Sequence, residues 1–557
     1  MPTSTDLPKP TSFHQIFTYR SQDLPDHTWF YYPEPANAAH YRSLTFKDTD
    51  LLLDHLAAQY AELLPKADNN TVSKTAPECI PHPPLVVATL GSNNVQLLLT
   101  GVATQRLQHA YLHISPLNSD AGIMSLLKTV DAKVLIADDV FYERAASLAA
   151  QVEGVHIVRM IEFDPVDELK KDLKTFAYDK TRDEGDDCSL IFHTSGTSSS
   201  APKPIWHANK TFLQGPQVFL SKITLTTGLM YHGMGGAVAL MAAHMAGAMA
   251  LPLAKDCNHR TLPEILKSLK ALPDTERLVL HPILAEAIMD TYGKNNSPEL
   301  DYLRNLASIE VGGGKLSTEV AHGLRALGIN VVSSRADREK TMIGSTEVGI
   351  FPLRNEPTEE HWDSFVSTND YHCKWEHIEG DQYELLINDP PVCALNIGVP
   401  KGGVYHTNDV FEEYPSKSGK YIYVGRRDQM LIHSMGLNTN PVPWENALRP
   451  LEEIEECQLV GHGRRGPLLL VELNWNKAEN EAKARANIWR AVEEYNDTVM
   501  AWSKVQHPEA MVILPRGSHL ERSDKETVKR GVNIKKFQQE IDQGYANWDR
   551  AAPLAKA

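Results

Sequence analysis

The stretch Pro84–Ile114, PLVVATLGSNNVQLLLTGVATQRLQHAYLHI, decides the fold class. Pro84–Leu90, PLVVATL, is a run of strand length in which Thr89 is the one polar residue, the pattern of a strand buried on both faces. From Asn93 to Arg106 the apolar positions Val95, Leu98, Leu99, Val102 and Ala103 recur at helical spacing, and Ala110–Ile114 returns to a strand pattern. Strand, helix and strand in succession form a βαβ unit, whose two strands lie parallel in one sheet.

The alternation continues outward from this unit. A helix is predicted over Gly122–Val130, a strand over Lys133–Ala137, a helix near Tyr142–Gln151 and a strand over Val155–Met160. The expected fold is therefore α/β, with doubly wound sheet and helices on its faces. The tail reads differently. After about Gly425 come a short helix at Trp444–Leu448, paired strands at Cys457–Val460 and Leu468–Leu473, a helix near Ala478–Ala501 and a strand at Met511–Leu514. That mixture predicts a small α+β module. The expected domains are a large core over 1–424, a hinge at 425–430 and a small C-terminal domain over 431–557.

Composition excludes several classes. With 42% apolar and 23% charged residues in 557, the chain matches neither a disordered segment, a collagen-like repeat nor a long coiled coil. Net charge is −16 and no Lys/Arg block stands out, so no nucleic-acid partner is expected. The six cysteines are widely spaced without a CxxC pair, which points to a reducing compartment and no structural zinc. The first residues show no secretory or helical presequence, and a cytoplasmic location is expected. Residues 228–254, GLMYHGMGGAVALMAAHMAGAMALPLA, are long enough to span a bilayer, but His232, His244 and five glycines make a poor lipid face. A buried Ala/Gly-rich helix is expected there, and no membrane partner.

The chemistry starts at His193-Thr194-Ser195-Gly196-Thr197-Ser198-Ser199-Ser200-Ala201-Pro202-Lys203, directly after the apolar Ser189–Phe192. Small hydroxyl residues and a glycine leaving a strand can wrap backbone N–H groups and hydroxyls around an anionic oxygen, and the lysine adds a point charge. No Gly-Lys-Ser/Thr closes the loop, so it is not a Walker A motif. A mobile polar surface loop is the alternative. A second glycine pattern, Gly461-His462-Gly463-Arg464-Arg465-Gly466, satisfies G-x-G-x-x-G, but a strand follows where a dinucleotide site needs a helix. A hairpin turn is expected there.

The first of these segments resembles the phosphate loop of adenylate-forming enzymes, TSGTTGxPK, a family of acyl-CoA synthetases, luciferases and adenylation domains of nonribosomal peptide synthetases. Four further segments follow in that family's order. Val311-Gly312-Gly313-Gly314-Lys315-Leu316 is similar to the stretch that lets backbone approach the adenine and the acyl pocket. Gly344-Ser345-Thr346-Glu347 resembles YGxTE, which implies that Thr346 contacts the α-phosphate and Glu347 helps hold magnesium. Tyr405-His406-Thr407-Asn408-Asp409 resembles Y-x-T-G-D, whose aspartate accepts from the ribose hydroxyls. Gly425-Arg426-Arg427-Asp428 matches G-R-x-D, implying ribose contact by Arg426 and a hinge at Asp428. Taken singly each string has a plain structural reading; the ordered set does not.

The tail narrows the resemblance. GRRDQMLIHSMGLNTNPVP over 425–443 and Glu521–Arg530, ERSDKETVKR, are similar to the adenylation domains of fungal synthetase-like carboxylic acid reductases. That places Lys525 where the family has the lysine of the adenylation step, with Lys529 as its rival. Three departures stand out: Ser198-Ser199-Ser200-Ala201 where Thr-Gly-x is usual, Ile343 in place of an aromatic residue, and Asn408 in place of glycine.

The resemblance implies ATP-dependent activation of a carboxylic acid as an acyl-adenylate, with magnesium, followed by transfer to a thiol. Thr194, Ser195, Gly196, Thr197 and Lys203 would hold pyrophosphate, Gly312, Gly313, Gly314, Gly344 and Ser345 would shape the nucleotide site, and Lys525 would act on the reacting oxygens. His232 falls where amino-acid-activating domains offer an aspartate to the substrate ammonium. With Gly313 it implies a pocket for an aryl or other non-amino acid, because a buried unpaired ammonium is costly. The expected acceptor is the phosphopantetheine arm of a carrier domain, in cis or in trans, the chain being the activating domain of a larger reductase. A free-standing acyl-CoA or aryl-CoA ligase and a non-catalytic binder of nucleotide or carboxylate are the alternatives.

Overall fold

The computed structural model describes residues 8–552, apart from 35–36, 69, 194–201, 214–221, 254–260, 294–295, 313–315, 317, 334–335, 338–339, 348, 357–360, 367–372, 389–398, 400–402, 434–437, 500 and 524–526. The described residues divide into two compact units. One runs to Lys374 and takes in Ile387–Tyr405; the other comprises Trp375–Leu386 and the chain from His406 onward.

The first unit carries two large sheets. Their strands, in chain order, are β1 (Thr28–Glu34), β2 (Asn37–Thr45), β3 (Leu85–Leu90), β4 (His109–Ile114), β5 (Val134–Ala137), β6 (His156–Arg159), β7 (Cys188–His193), β8 (Pro204–Ala208), β9 (Ile223–Thr226), β10 (Ala248–Ala250), β11 (Thr275–Leu280), β12 (Ser308–Val311) and β13 (Val331–Ser333). One sheet has the order β6-β5-β3-β4-β7-β8, parallel except for the antiparallel edge strand β8. The predicted βαβ unit is its centre, with β3 between β4 and β5. Leu85 and Val87 of β3 enter one apolar core with Tyr60, Leu98 and Val102, while Val86, Ala88 and Leu90 enter another with Ile123 and Leu148. A strand covered on both faces disfavours polar alternation, and the one polar residue here, Thr89, shares a hydrogen bond with His113 Nδ1 at 2.6 Å. The helix Val95–Arg106 then starts at Asn94, whose side chain accepts from the Leu97 N–H at 3.0 Å and so satisfies one of the orphan donors of the first turn.

The other sheet has the order β13-β12-β11-β9-β10-β1-β2, parallel up to β1, with β2 folded back antiparallel as its edge. Four further strands follow in the unit: β14 (Ala336–Asp337), β15 (Lys340–Ser345), β16 (Gly349–Asn355) and β17 (Ser364–Val366), neighbours in that order.

The stretch 228–254 is not the single buried helix expected from its composition. The chain is extended at His232, tightens into a π-helical turn over Gly233–Ala237, continues as a helix over Val238–His244 and ends in β10. Close approach explains the break. A Cβ on Gly235 would lie 2.2 Å from the Leu229 carbonyl oxygen, and one on Gly236 would lie 2.5 Å from that of Met230. The chain folds back onto its own backbone where only glycine fits. Among the described residues no helix is long and apolar enough to cross a membrane.

The second unit contains most of β18 (Cys373–Glu379), β19 (Gln382–Asn388) and β20 (Val404–Glu413) and all of β21 (Lys420–Arg426), neighbours in the order β18-β19-β20-β21. A bridge-like pair, β22 (Leu431–Ile432) and β23 (Asn438–Thr439), leads to the C-terminal module. There β24 (Ile454–Val460) and β25 (Leu468–Leu473) pair antiparallel and β26 (Met511–Ile513) adds parallel to β25. The helices Pro441–Leu448, Glu481–Asn496 and Gln538–Ala551 contribute to a core of Trp444, Leu470, Ile488 and Trp548. The G-x-G-x-x-G pattern at 461–466 is the turn between β24 and β25, as expected, with Tyr545 Oη donating to the Gly466 carbonyl at 2.8 Å.

Candidate active site

In the first unit the site residues gather around the hairpin β7–β8. Its strands end opposite each other at His193 and Pro204, so the expected phosphate loop is the connection between them and Lys203 stands exposed at its return. Thr194, Ser195, Gly196 and Thr197 lie outside the described residues. His193 closes β7 and its Nε2 accepts from the Ser115 N–H at 3.1 Å. That bond puts the ring proton on Nδ1 and keeps the imidazole neutral. The buried His232 lies edge-on to it, with ring centroids 5.5 Å apart, and Tyr231 is in turn edge-on to His232 at 5.0 Å. The predicted pocket histidine thus stands beside the root of the phosphate loop.

Gly344 and Ser345 close β15 opposite Ile350 and Gly349 of β16, and half-buried Thr346 and Glu347 form the turn. His207, on β8, is buried. Burial pushes its ring down to about 4, because the charged form is costly away from water. Sequence reasoning missed His207; its only signal is a polar residue inside the apolar run of β8. Gly312 follows β12 and its N–H donates to the Leu280 carbonyl at 3.0 Å. Gly313, Gly314 and Lys315 lie outside the described residues.

In the second unit Asp409 and Arg426 face each other across β20 and β21, as register partners with the guanidinium 3.6 Å from the carboxylate. Thr407 builds the approach: its Oγ1 donates to the Leu385 carbonyl at 2.7 Å and accepts from the Asp409 N–H at 2.9 Å. Asn408 sits between them at φ +58°. That is the left-handed region which glycine enters freely and asparagine tolerates, so the departure from T-G-D preserves the backbone. Glu384, 1% exposed on β19, also escaped sequence reasoning, since a glutamate in a strand reads as solvent-facing. It accepts from Arg427 at 2.7 Å and from the Asn408 N–H at 3.2 Å, with His406 Nδ1 at 3.2 Å. It thereby anchors both the Thr407–Asp409 segment and the start of the predicted hinge. Asp428 belongs to a 3-10 turn over Arg427–Gln429.

Lys525 lies outside the described residues, but its flanks close on each other. Arg522 bridges Val528, and the Ser523 N–H donates to the Thr527 carbonyl at 2.7 Å. The rival Lys529 follows at the start of the helix Arg530–Lys536, its N–H donating to the Glu521 carbonyl at 2.8 Å. Among the described residues one group of three, Glu376, Glu384 and His406, brings possible metal ligands within 4.8 Å. Arg427 already holds Glu384, and its cation opposes a metal there. Glu347 offers a single carboxylate, which suits magnesium, an ion bound through one or two carboxylates plus phosphate oxygens and water.

Parallel sheets with helices on their faces, followed by an α+β tail module, are the architecture that this chain shares with solved acyl-adenylate synthetases. Residues 82–367 match the AMP-binding enzyme family and residues 428–549 the AMP-binding enzyme C-terminal domain. The chain belongs to the AMP-binding enzyme family and is an adenylate-forming enzyme. Among curated relatives it is 23% identical over 570 residues to a carboxylic acid reductase of Neurospora crassa, covering 96% of this chain and 50% of that protein. It is 24% identical over 567 residues to the adenylate-forming reductase Nps10 of Heterobasidion annosum, covering 95% and 49%. The chain thus spans about half the length of these relatives. Among solved structures, the anthranilate CoA ligase AuaEII in complex with anthranoyl-AMP superimposes with TM-score 0.73 at 16% identity, over 97% of this chain and 99% of that one. The o-succinylbenzoate CoA synthetase of Bacillus subtilis in complex with ATP and magnesium gives TM-score 0.69 at 16% identity, over 93% and 98%.

Proposed function

We propose that the chain activates a carboxylic acid that lacks an α-amino group, aryl or otherwise, and passes it to the phosphopantetheine arm of a carrier domain for reduction by a larger parent protein. The observation that carries this reading is the Asp409–Arg426 pair, a buried anion and a cation set opposite each other by strand register on the two motifs assigned to ribose. In this reading a carboxylate oxygen attacks the α-phosphorus of ATP, the new P–O bond gives an acyl-adenylate, and pyrophosphate leaves. Two anions must meet, so the work is positioning and charge neutralisation. Lys203 and the hydroxyl loop Thr194–Thr197 take pyrophosphate, Thr346 the α-phosphate, and Gly312–Gly314 with Gly344 and Ser345 the base and its surroundings. Glu347 would hold magnesium, which supplies charge neutralisation to the phosphates when bound. Lys525 serves the oxygens of the reacting centre, His232 and Gly313 border the acid, and Asp428 is the pivot of a hinge at 425–430 between domains 1–424 and 431–557.

Carboxylate-dependent ATP–pyrophosphate exchange over an acid panel tests this. Lys525→Ala is expected to lower exchange by about 10²-fold, the scale for losing one donor to a developing charge. Equal activity in that variant and a loss in Lys529→Ala would transfer the role to Lys529. A second reading is a free-standing ligase using coenzyme A, on the fold that the anthranilate CoA ligase also has. Thioester formation with coenzyme A, against a phosphopantetheinylated carrier, separates the two.

A further inference from the structure

The parallel sheet reverses its winding between β3 and β5: from β3 the chain moves to β4 on one side, whereas from β5 it moves to β6 on the other. In doubly wound sheets the crevice at the carboxyl ends of the strands flanking such a point is where ligands bind. Here it lies at Gly91–Asn94 after β3 and at Asp138 after β5.

The polar groups after β3 are nearly all committed. Ser92 N–H donates to Asp138 at 2.6 Å, Asn93 Oδ1 accepts from the Met230 N–H at 2.8 Å, and Asn94 caps the helix. Gln96, in the first turn of that helix, is different. It is 5% exposed, and neither its Oε1 nor its Nε2 has a hydrogen-bond partner. Helical side chains lean toward the N-terminus, so Gln96 leans toward the end where Asn93 meets Met230, two residues before His232. Burying an amide with both ends unmet is costly, and native proteins rarely leave such a group without a partner.

We propose that Gln96 is a specificity-determining residue of the acyl site, and that the preferred acid carries a substituent that both donates and accepts hydrogen bonds, a hydroxyl or an amide. This rests on the adenylation reading above and narrows its substrate class. A site built to bond such a group rejects the analogue lacking it far more strongly than it would reject a missing methylene, because the protein amide is then left unpaired.

The test is pyrophosphate exchange with matched acid pairs, hydroxybenzoic against benzoic acids, carbamoylbenzoic against benzoic, and hydroxyalkanoic against alkanoic acids. At least one polar member is expected to exceed its plain partner in kcat/KM by about 10²-fold, and Gln96→Leu to bring that ratio within about threefold. Gln96→Met, close in shape, should act likewise and serves if the leucine variant fails to fold. Thermal-shift titration gives a second readout: the polar acid raises the midpoint of the wild type more than that of either variant. A wild type indifferent to the substituent in every pair overturns the assignment of Gln96 alone. So does a variant that lowers both members equally and keeps their ratio, the signature of a structural glutamine or a buried water. Absence of exchange with every acid overturns the adenylation reading and this proposal with it.

Discussion

Replacing Asp409 by alanine is the sharpest test of the nucleotide site. The Asp409 side chain is 12% exposed, and its backbone is fixed by Thr407, so the substitution removes the anion without releasing the strand. Hydrogen bonds to a charged group contribute about 1.5–3 kcal/mol each, which corresponds to a loss of about 10- to 10²-fold in affinity for ATP. The other consequence is small. The Arg426 side chain is one-third exposed, so the lost pairing costs the fold about 1 kcal/mol or less after solvent screening. The expected outcome of exchange kinetics is therefore a KM for ATP raised 10- to 10²-fold, a KM for the acid within twofold, and an unfolding midpoint displaced by no more than a few degrees. Asp409→Asn, which keeps the shape but not the charge, should fall between. A rise in the acid KM with ATP unaffected would refute the ribose assignment, and so would kinetics indistinguishable from wild type.

Three further outcomes follow from the same geometry. Burial holds His109 and His207 down to about 4 and His113 to about 3, so the folded chain keeps them neutral while the unfolded chain takes up protons below about 6.5. Stability is full above that value and falls as pH drops, by about 2 kcal/mol per histidine between pH 8 and 5, and chemical denaturation across that range should show it. Asn408→Gly should leave stability within about 1 kcal/mol, whereas Asn408→Val, forced into a left-handed backbone, should cost about 1–2 kcal/mol and raise the KM for ATP; equal behaviour of the two would deny the conformational role. Glu384→Gln removes the anion that holds Arg427 and the Asn408 N–H, and should lower stability by about 1–2 kcal/mol in urea unfolding, with a weaker ATP KM as Asp409 loses its support.

How much could be read without coordinates varied with the physics of each element. The strands and helices from Leu85 to Arg159 were legible because a strand covered on both faces and a helix with one apolar stripe leave opposite periodicities. The seven-stranded sheet was not, since β10 and β13 have three residues each and alternation over so few steps has no definite period. The stretch 228–254 misled because apolar content says nothing about the backbone approach that Gly235 and Gly236 permit. Asp409 and Arg426 were found through resemblance, yet their adjacency is a product of register between β20 and β21. Glu384 and His207 escaped because a buried polar side chain is distinguished only by its partners, which a single sequence does not display.

The tight turn after His232 also sets a rule for redesign. Any side chain at 235 or 236 would collide with main-chain oxygens rather than with movable groups, so those two places accept no alphabet but one. Libraries aimed at new acids should hold that pair constant and spend their diversity on His232 and Gln96, where change alters chemistry and not the path of the chain.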